Sequence, residues 1–364
     1  MYNVQRTSYI LNMYSLNFIP YTLHFKKPAG TSRGVYITRK VWYALLTDQE
    51  NPEHFGVGEC APLPNLSCDD VPGYEAFLAE QSKRIADGGR FFDKSLTDFP
   101  SVMFGMETAF LHYNAGSVCL FDNHFTRQNV GIPINGLIWM SSKEDMQEQI
   151  KRKLSAGFKC IKLKIGAIDF DEELSLIKYI RQEYSPADIE IRVDANGAFS
   201  ADTALEKLKR LSDFSLHSIE QPIRAGQWEQ MAALCAETPL PIAFDEELIG
   251  ANTLDERIKL LDSLKPQYIV LKPSLHGGMR GSQEWIDEAR KRQIGWWITS
   301  ALESNVGLNA IAQFCAAQNP QMPQGLGTGM LFTDNIDFPL EIRKDKLWFT
   351  GKTDVDFSKV IDNG

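Results

Sequence analysis

The spacing of polar residues along this 364-residue chain predicts an α/β fold: a TIM-type (β/α)7β barrel with an N-terminal α+β capping region that the C-terminal segment completes. Three observations carry the prediction. Apolar, strand-like runs recur, and polar residues fall near their ends at Lys164, Asp194, Glu220, Asp245, Lys272 and Ser300, in steps of 30, 26, 25, 27 and 28 residues. Amphipathic stretches such as DFDEELSLIKYIRQEY and NTLDERIKLLDSL fill the intervals, and one strand plus one returning helix is the unit of a parallel sheet. Residues 14–62, by contrast, read as antiparallel strands split by the turn-rich stretches KKPAGTSR and QENPE.

Taken in order, SLNFIPYTLHF, GVYITRKVWYALLTD and HFGVGEC are the first strands, and helical patterns follow over 69–88 and 99–117. Strands first and helices after is α+β organisation, and the capping region is set at 1–133. From 134 the rhythm changes. INGLIWM is strand-like, and SSKEDMQEQIKRKLSAG is helical, with Ser142 as its cap and Gly157 as its stop. CIKLKIG, IEIRVDAN, LHSIEQPI, PIAFDEEL, YIVLKPS and GWWITSAL continue the series, with a weak eighth strand near QGLGTG. The barrel region is set at 134–337. Periodicity sets the repeat and leaves closure open, so an open doubly wound sheet is the alternative. Residues 338–364, with KLWFTGKTDVDF, read as strand–turn–strand returning to the cap.

Composition narrows the function. Hydrophobic residues make up 43% and charged residues 23%, as in an ordinary globular chain, and the net charge of −9 argues against a nucleic-acid surface. The six cysteines are scattered without a C-x-x-C pair, and the six histidines form no H-E-x-x-H, so no local zinc signature exists. Free thiols in a reducing cytoplasm are expected. The first 21 residues show no secretory pattern, and no apolar run approaches the roughly 18 residues that span a bilayer. The expected partner is a small molecule, and nothing in the sequence specifies an oligomer.

The chemistry starts at KCIKLKIG (159–166). Lys162 and Lys164 share one face of a strand, roughly 6.6 Å apart, and like charges that close make one of them easier to deprotonate. Singly, each polar residue has an ordinary reading: Asp194 as a turn former, Glu220 as a strand end, Asp245 as a helix cap, the lysines as exposed strand ends. Together they are harder to dismiss. Asp194, Glu220 and Asp245 fall on successive strands about 4.8 Å apart, where three carboxylates repel unless a cation bridges them. Hard oxygen donors suit Mg²⁺, or Mn²⁺. Lys164 and Lys272 then face each other across the carboxylates, an arrangement suited to removing a proton α to a carboxylate. A Schiff-base aldolase and a non-catalytic binding protein are the competing classes.

With RVDANGAF, SIEQPI, AFDEEL and KPSLHGG added to KLKIG, the chain resembles the enolase superfamily, in the muconate-lactonizing-type branch that carries K-x-K on the second strand. The resemblance runs over nearly the whole chain and implies the cap-and-barrel fold. It implies Mg²⁺ at Asp194, Glu220 and Asp245, Lys164 as the base, Lys162 as its tuner, and Lys272 as a cation on the opposite face. INGLIWM, SALESNVGLNAIAQ and GLGTGMLFTDN imply a syn dehydration of 2-succinyl-6-hydroxy-2,4-cyclohexadiene-1-carboxylate in menaquinone biosynthesis. An N-acylamino acid racemase or dipeptide epimerase on the same scaffold is the alternative. Asn196 would orient Lys164, Ser300 and Thr328–Gly329 would receive the succinyl tail, and Arg33 in TSRG would help close the site.

Overall fold

The computed structural model describes residues 14–362 except 32, 33, 49 and 52. At the N-terminus, β1 (Tyr14–Thr31), β2 (Gly34–Asp48) and β3 (Phe55–Cys60) form an antiparallel sheet in that order. The β1–β2 pairing runs from Tyr14↔Asp48 to Thr31↔Gly34, with one register shift between His24 and Ala29. Two helices cover this sheet, α1 (Tyr74–Ala86) and α2 (Pro100–Ala115), burying Leu16, Leu46, Leu78, Val102 and Met106 between them. Proline at the first helical position and a left-handed Gly116 after the last one bound α2, as expected where a missing N–H and a positive φ cost nothing. α2 lies so close to β3 that a Cβ on Gly58 would collide with the Gly105 carbonyl.

A second region follows the short β4 (Ile132–Pro133). Strands and helices alternate as β5 (Gly136–Ile138), α3 (Lys143–Ser155), β6 (Cys160–Lys164), α4 (Phe170–Glu183), β7 (Glu190–Asp194), α5 (Ala201–Ser212) and β8 (Ser218–Glu220). The series continues with α6 (Trp228–Glu237), β9 (Ile242–Phe244), α7 (Leu254–Leu264), β10 (Tyr268–Leu271), α8 (Gly278–Lys291), β11 (Gly295–Ile298) and α9 (Asn305–Ala317). Each strand from β5 to β11 pairs in parallel with the next, giving a seven-stranded sheet ordered as the chain runs. In place of a full eighth strand, Gln324 bridges in parallel to Ile134, beside β5, and Gly325 to Thr299, just beyond β11. One short segment thus touches both edges, and the sheet is curled. The expected caps of α3 are found: Ser142 Oγ accepts from the Asp145 N–H, and Gly157 is left-handed.

The main core lies between sheet and helices, where residues such as Ile161, Leu163, Ile191, Val193, Ile219 and Ile242 are fully buried. Each such aliphatic side chain contributes roughly 1.5–3 kcal/mol by leaving water. Five of the strand neighbours one residue on, Lys162, Lys164, Arg192, Asp194 and Glu220, are polar and point to the concave side, while the sixth is Ala243. That alternation places the chemistry. On the concave face Ala243, Val270 and Trp297 form a small separate cluster. At the C-terminus, β12 (Leu340–Arg343) and β13 (Lys346–Phe349) form a hairpin paired to β4, followed by α10 (Ser358–Ile361). Phe338, Phe357 and Val360 pack with Ile19, Leu23, Val41 and Tyr43 of the N-terminal sheet. Among the described residues no helix is long and apolar enough to cross a membrane, and all six cysteines are free.

Candidate active site

The ends of β6 to β10 converge on a cavity of about 570 Å³, lined by Lys162, Lys164, Glu220, Asp245 and Lys272, with Trp297 and Ser300 beside them. The parallel register puts Lys164 level with Asp194, and Asp194 level with Glu220. Asp245 follows β9 directly and Lys272 follows β10, so three carboxylate-bearing strands separate the strands of Lys164 and Lys272. Two residues below Asp194, on the same face, Arg192 is clamped by Glu190 at 2.7 Å and by the Pro323 carbonyl at 2.9 Å. Its guanidinium lies 4.3 Å from the centroid of the Trp297 ring, a cation–π contact that supports one wall of the cavity from beneath.

Ion pairs knit the site together. Asp194 Oδ2 lies 2.7 Å from Lys164 Nζ and 2.9 Å from Lys162 Nζ, and Lys162 also donates to Glu220 Oε2 at 2.6 Å. Lys272 donates to Asp245 Oδ2 at 2.6 Å. The two lysines of K-x-K therefore do not simply repel, as their spacing suggested: a carboxylate sits between them. Burial disfavours the Lys162 charge, but Asp194 and Glu220 outweigh burial and raise its pKa. The same balance raises Lys272, where Asp245 and Glu246 are the stronger influence. Burial also pushes the Asp194 and Asp245 carboxyls up, yet Lys162 and Lys164 for the first and Lys272 for the second hold both below the ordinary carboxylate range. Glu220 goes the other way, raised by burial and by the neighbouring Asp194.

Asn196 is held in a left-handed turn, with φ of 45°, and its side chain bridges two groups. Its Oδ1 accepts from Lys164 at 2.8 Å, and its Nδ2 donates to Glu246 at 3.0 Å. Ser300 and Thr328 meet, with Thr328 Oγ1 donating to Ser300 Oγ at 2.8 Å, and both line the cavity. Gly329 does not line the cavity: its carbonyl accepts from Asn335 Nδ2, and a Cβ there would meet Asn305 and Leu308. Arg33 lies outside the described residues.

Two residues that the sequence reading passed over help build the site. Gln221, also left-handed at φ of 40°, accepts from the Asp245 and Glu247 N–H groups and donates to Glu247 and the Ile223 carbonyl. It thereby fixes the segment that carries Asp245. Glu246, next in the chain, is buried and raised above the ordinary range by burial and by Asp245. The acid run of AFDEEL and the amide after Glu220 in SIEQPI were the available signals.

Among the described residues, no three His, Cys, Asp or Glu side chains stand close enough as placed to grip one ion, and lysine ammonium groups lie between the carboxylates. The donor set nevertheless fits a divalent cation. Asp194, Glu220 and Asp245 offer hard oxygens from three adjacent strands, and Asp245 Oδ1 is buried without a hydrogen-bond partner among the described residues. Such an orphaned anionic oxygen is costly unless a cation or a donor reaches it.

A model of the family described as enolase C-terminal domain-like matches residues 145–348. The chain is 49% identical over 352 residues to the o-succinylbenzoate synthase of Desulfotalea psychrophila, covering 88% of this chain and 95% of that one. The crystal structure of MenC from Desulfotalea psychrophila aligns with a TM-score of 0.81 at 43% identity, over 92% of this chain and 99% of that one. The substrate-liganded L-Ala-D/L-Glu epimerase from Bacillus subtilis aligns with a TM-score of 0.79 at 17% identity, over 94% and 98% of the two chains. At that identity the likeness is one of fold.

Proposed function

The chain belongs to the enolase C-terminal domain-like family, and from that footing we propose that it catalyses the o-succinylbenzoate synthase reaction. It is an enzyme, a hydro-lyase that removes water from 2-succinyl-6-hydroxy-2,4-cyclohexadiene-1-carboxylate to leave an aromatic ring, a step of menaquinone biosynthesis. The observation that carries the mechanistic reading is the pairing of Lys164 and Lys272 in one cavity, on strands separated by those of three buried carboxylates.

Asp194, Glu220 and Asp245 are the residues that would hold Mg²⁺, or Mn²⁺ in its place. Once bound, the cation supplies positive charge against the substrate carboxylate as the neighbouring C–H bond breaks. Lys164 takes that proton through Nζ and afterwards gives it to the departing hydroxyl. One base on one face serves both steps of a syn elimination. Asn196 Oδ1 orients the Lys164 amine between the two steps. Lys162 stays protonated between Asp194 and Glu220, and Lys272 stays protonated on the far wall, where its charge faces the developing anion. Ser300 and Thr328 receive the succinyl side chain. A closed (β/α)7β barrel belongs to this reading, supported by the Gln324–Gly325 segment that touches both sheet edges. So do a capping region over 1–133, completed from 338 onward, and a cytoplasmic location.

A second reaction, racemisation of N-acylamino acids or epimerisation of dipeptides, is also consistent with this geometry, because two lysines facing each other across a substrate suit proton transfer at one carbon. The test is incubation of the Mg²⁺-loaded protein in D₂O with the cyclohexadiene substrate and, separately, with N-succinyl amino acids and dipeptides. Dehydration of the first at turnover well above α-proton exchange of the others is expected. Rapid exchange without dehydration would overturn the assignment.

A further inference from the structure

Arg39 on β2 belongs to the N-terminal region, is 1% exposed, and forms no ion pair among the described residues. Among the described residues, its guanidinium donates only to main-chain carbonyls. Pro62 and Ala61, from the segment after β3, accept at 2.6 Å each, and Leu302 and Ala301, from the segment after β11, accept at 3.4 Å each. Burial lowers its pKa, and Glu303 and Glu59 counter that from farther off. A buried cation without a direct carboxylate is costly unless its donors are satisfied, and here the carbonyls of two separate segments satisfy them. A planar fork of five donors can fix the relative position of two chain segments by their backbones.

Both segments are walls of the cavity. Leu63 and Leu66 continue the first, and Ala301 and Leu302 belong to the second, next to Ser300. The second wall is conformationally demanding: Leu302 has φ of 65°, where a residue with a Cβ stays only if it is held. Its N–H donates to Ser300 Oγ at 3.0 Å, so the position of the Leu302 backbone sets that of the Ser300 hydroxyl.

We propose that Arg39 is a positioning residue for substrate recognition, tying the 61–66 and 300–302 walls together so that the cavity has a fixed width where it receives the non-reacting side chain of the substrate. The proposal rests on the dehydration reading for the identity of that substrate and on geometry alone for the tie. Arg39 touches none of the reacting groups, so its loss acts on binding and leaves the chemistry at Lys164 in place.

The experiment uses the Mg²⁺-loaded full chain with Arg39→Gln and Arg39→Lys. Steady-state dehydration is measured alongside amide hydrogen exchange of both segments. For Arg39→Gln, KM rises about tenfold with kcat within about threefold, the scale of one lost charged hydrogen bond. Arg39→Lys recovers part of the loss. Exchange quickens in 61–66 and 300–304 together, and β10 keeps its protection. A fall in kcat at unchanged KM, quickened exchange in one segment only or across the whole molecule, or no change in either measurement would overturn the proposal. If Arg39→Gln does not fold, Arg39→Lys carries both readings. If the wild type does not dehydrate the substrate, the functional reading fails, while the exchange data still decide whether Arg39 ties the walls.

Discussion

One oxygen of Asp194 holds both lysines of the K-x-K pair, at 2.7 Å from Lys164 Nζ and 2.9 Å from Lys162 Nζ. Asp194 is fully buried and its other oxygen accepts from the Asn196 N–H, so no water stands in if its charge is removed. Asp194→Asn keeps the shape and deletes the charge. Loss of one partner from a buried ion cluster predicts destabilisation of about 3 kcal/mol, seen in urea unfolding. It also predicts Mg²⁺ affinity lowered at least about tenfold by calorimetry, since even outer partners of metal ligands matter on that scale.

The two facing lysines separate by role. Lys164→Ala removes the proposed base, so dehydration is expected to fall about 1000-fold, within the usual range for a missing general base. Deuterium exchange at the α-carbon in D₂O disappears with it. Lys272→Ala also slows dehydration, and it strips Asp245 of its only ion-pair partner among the described residues. Lys272→Arg keeps a cation there and recovers part of the rate. Equal activity of Lys164→Ala and wild type would sink the mechanism.

Most of this constellation was legible because β-strand alternation is a strict rule. Once CIKLK and EIRVD are strands, Lys162, Lys164, Arg192 and Asp194 must share the face opposite Ile161, Leu163, Ile191 and Val193. What the sequence hid depends on contacts far apart in the chain. Arg39, in TRK on a strand, reads as an exposed charge, and only the fold shows it buried against carbonyls of residues 301 and 302. Gln221 and Gly329 depend on loop paths that periodicity does not specify. Curling of the sheet was open for the same reason, since it rests on two isolated bridges at Gln324 and Gly325.

The proposed ligand set predicts metal dependence. Four buried carboxylates (Asp194, Glu220, Asp245 and Glu246) face three lysines, and among the described residues Asp245 Oδ1 has no hydrogen-bond partner. EDTA is expected to abolish turnover, and Mg²⁺ or Mn²⁺ to restore it. Mg²⁺ at 100 times its Kd should also raise stability by about 2.7 kcal/mol, read as a Tm increase. Asp245→Asn should shrink that Tm response. Undiminished turnover after exhaustive chelation would exclude the proposed ligand set.

Glu59 links the N-terminal sheet to α9 and makes stability depend on pH. Its carboxylate accepts from the Ser304 N–H at 2.8 Å, the Ser304 hydroxyl at 2.5 Å and the Gly307 N–H at 2.8 Å. Burial pushes its pKa up to about 7, against those hydrogen bonds, and Glu303 adds to the rise. A folded pKa above the unfolded value means that the native state binds the proton more tightly. This contribution is fully present below the unfolded pKa of about 4.5 and is lost as pH rises through 7. The change is on the order of 3 kcal/mol at most. Urea midpoints should therefore fall between pH 5 and pH 8, and Glu59→Gln should flatten that slope while lowering stability at pH 5. An unchanged slope in Glu59→Gln would assign the dependence to other groups.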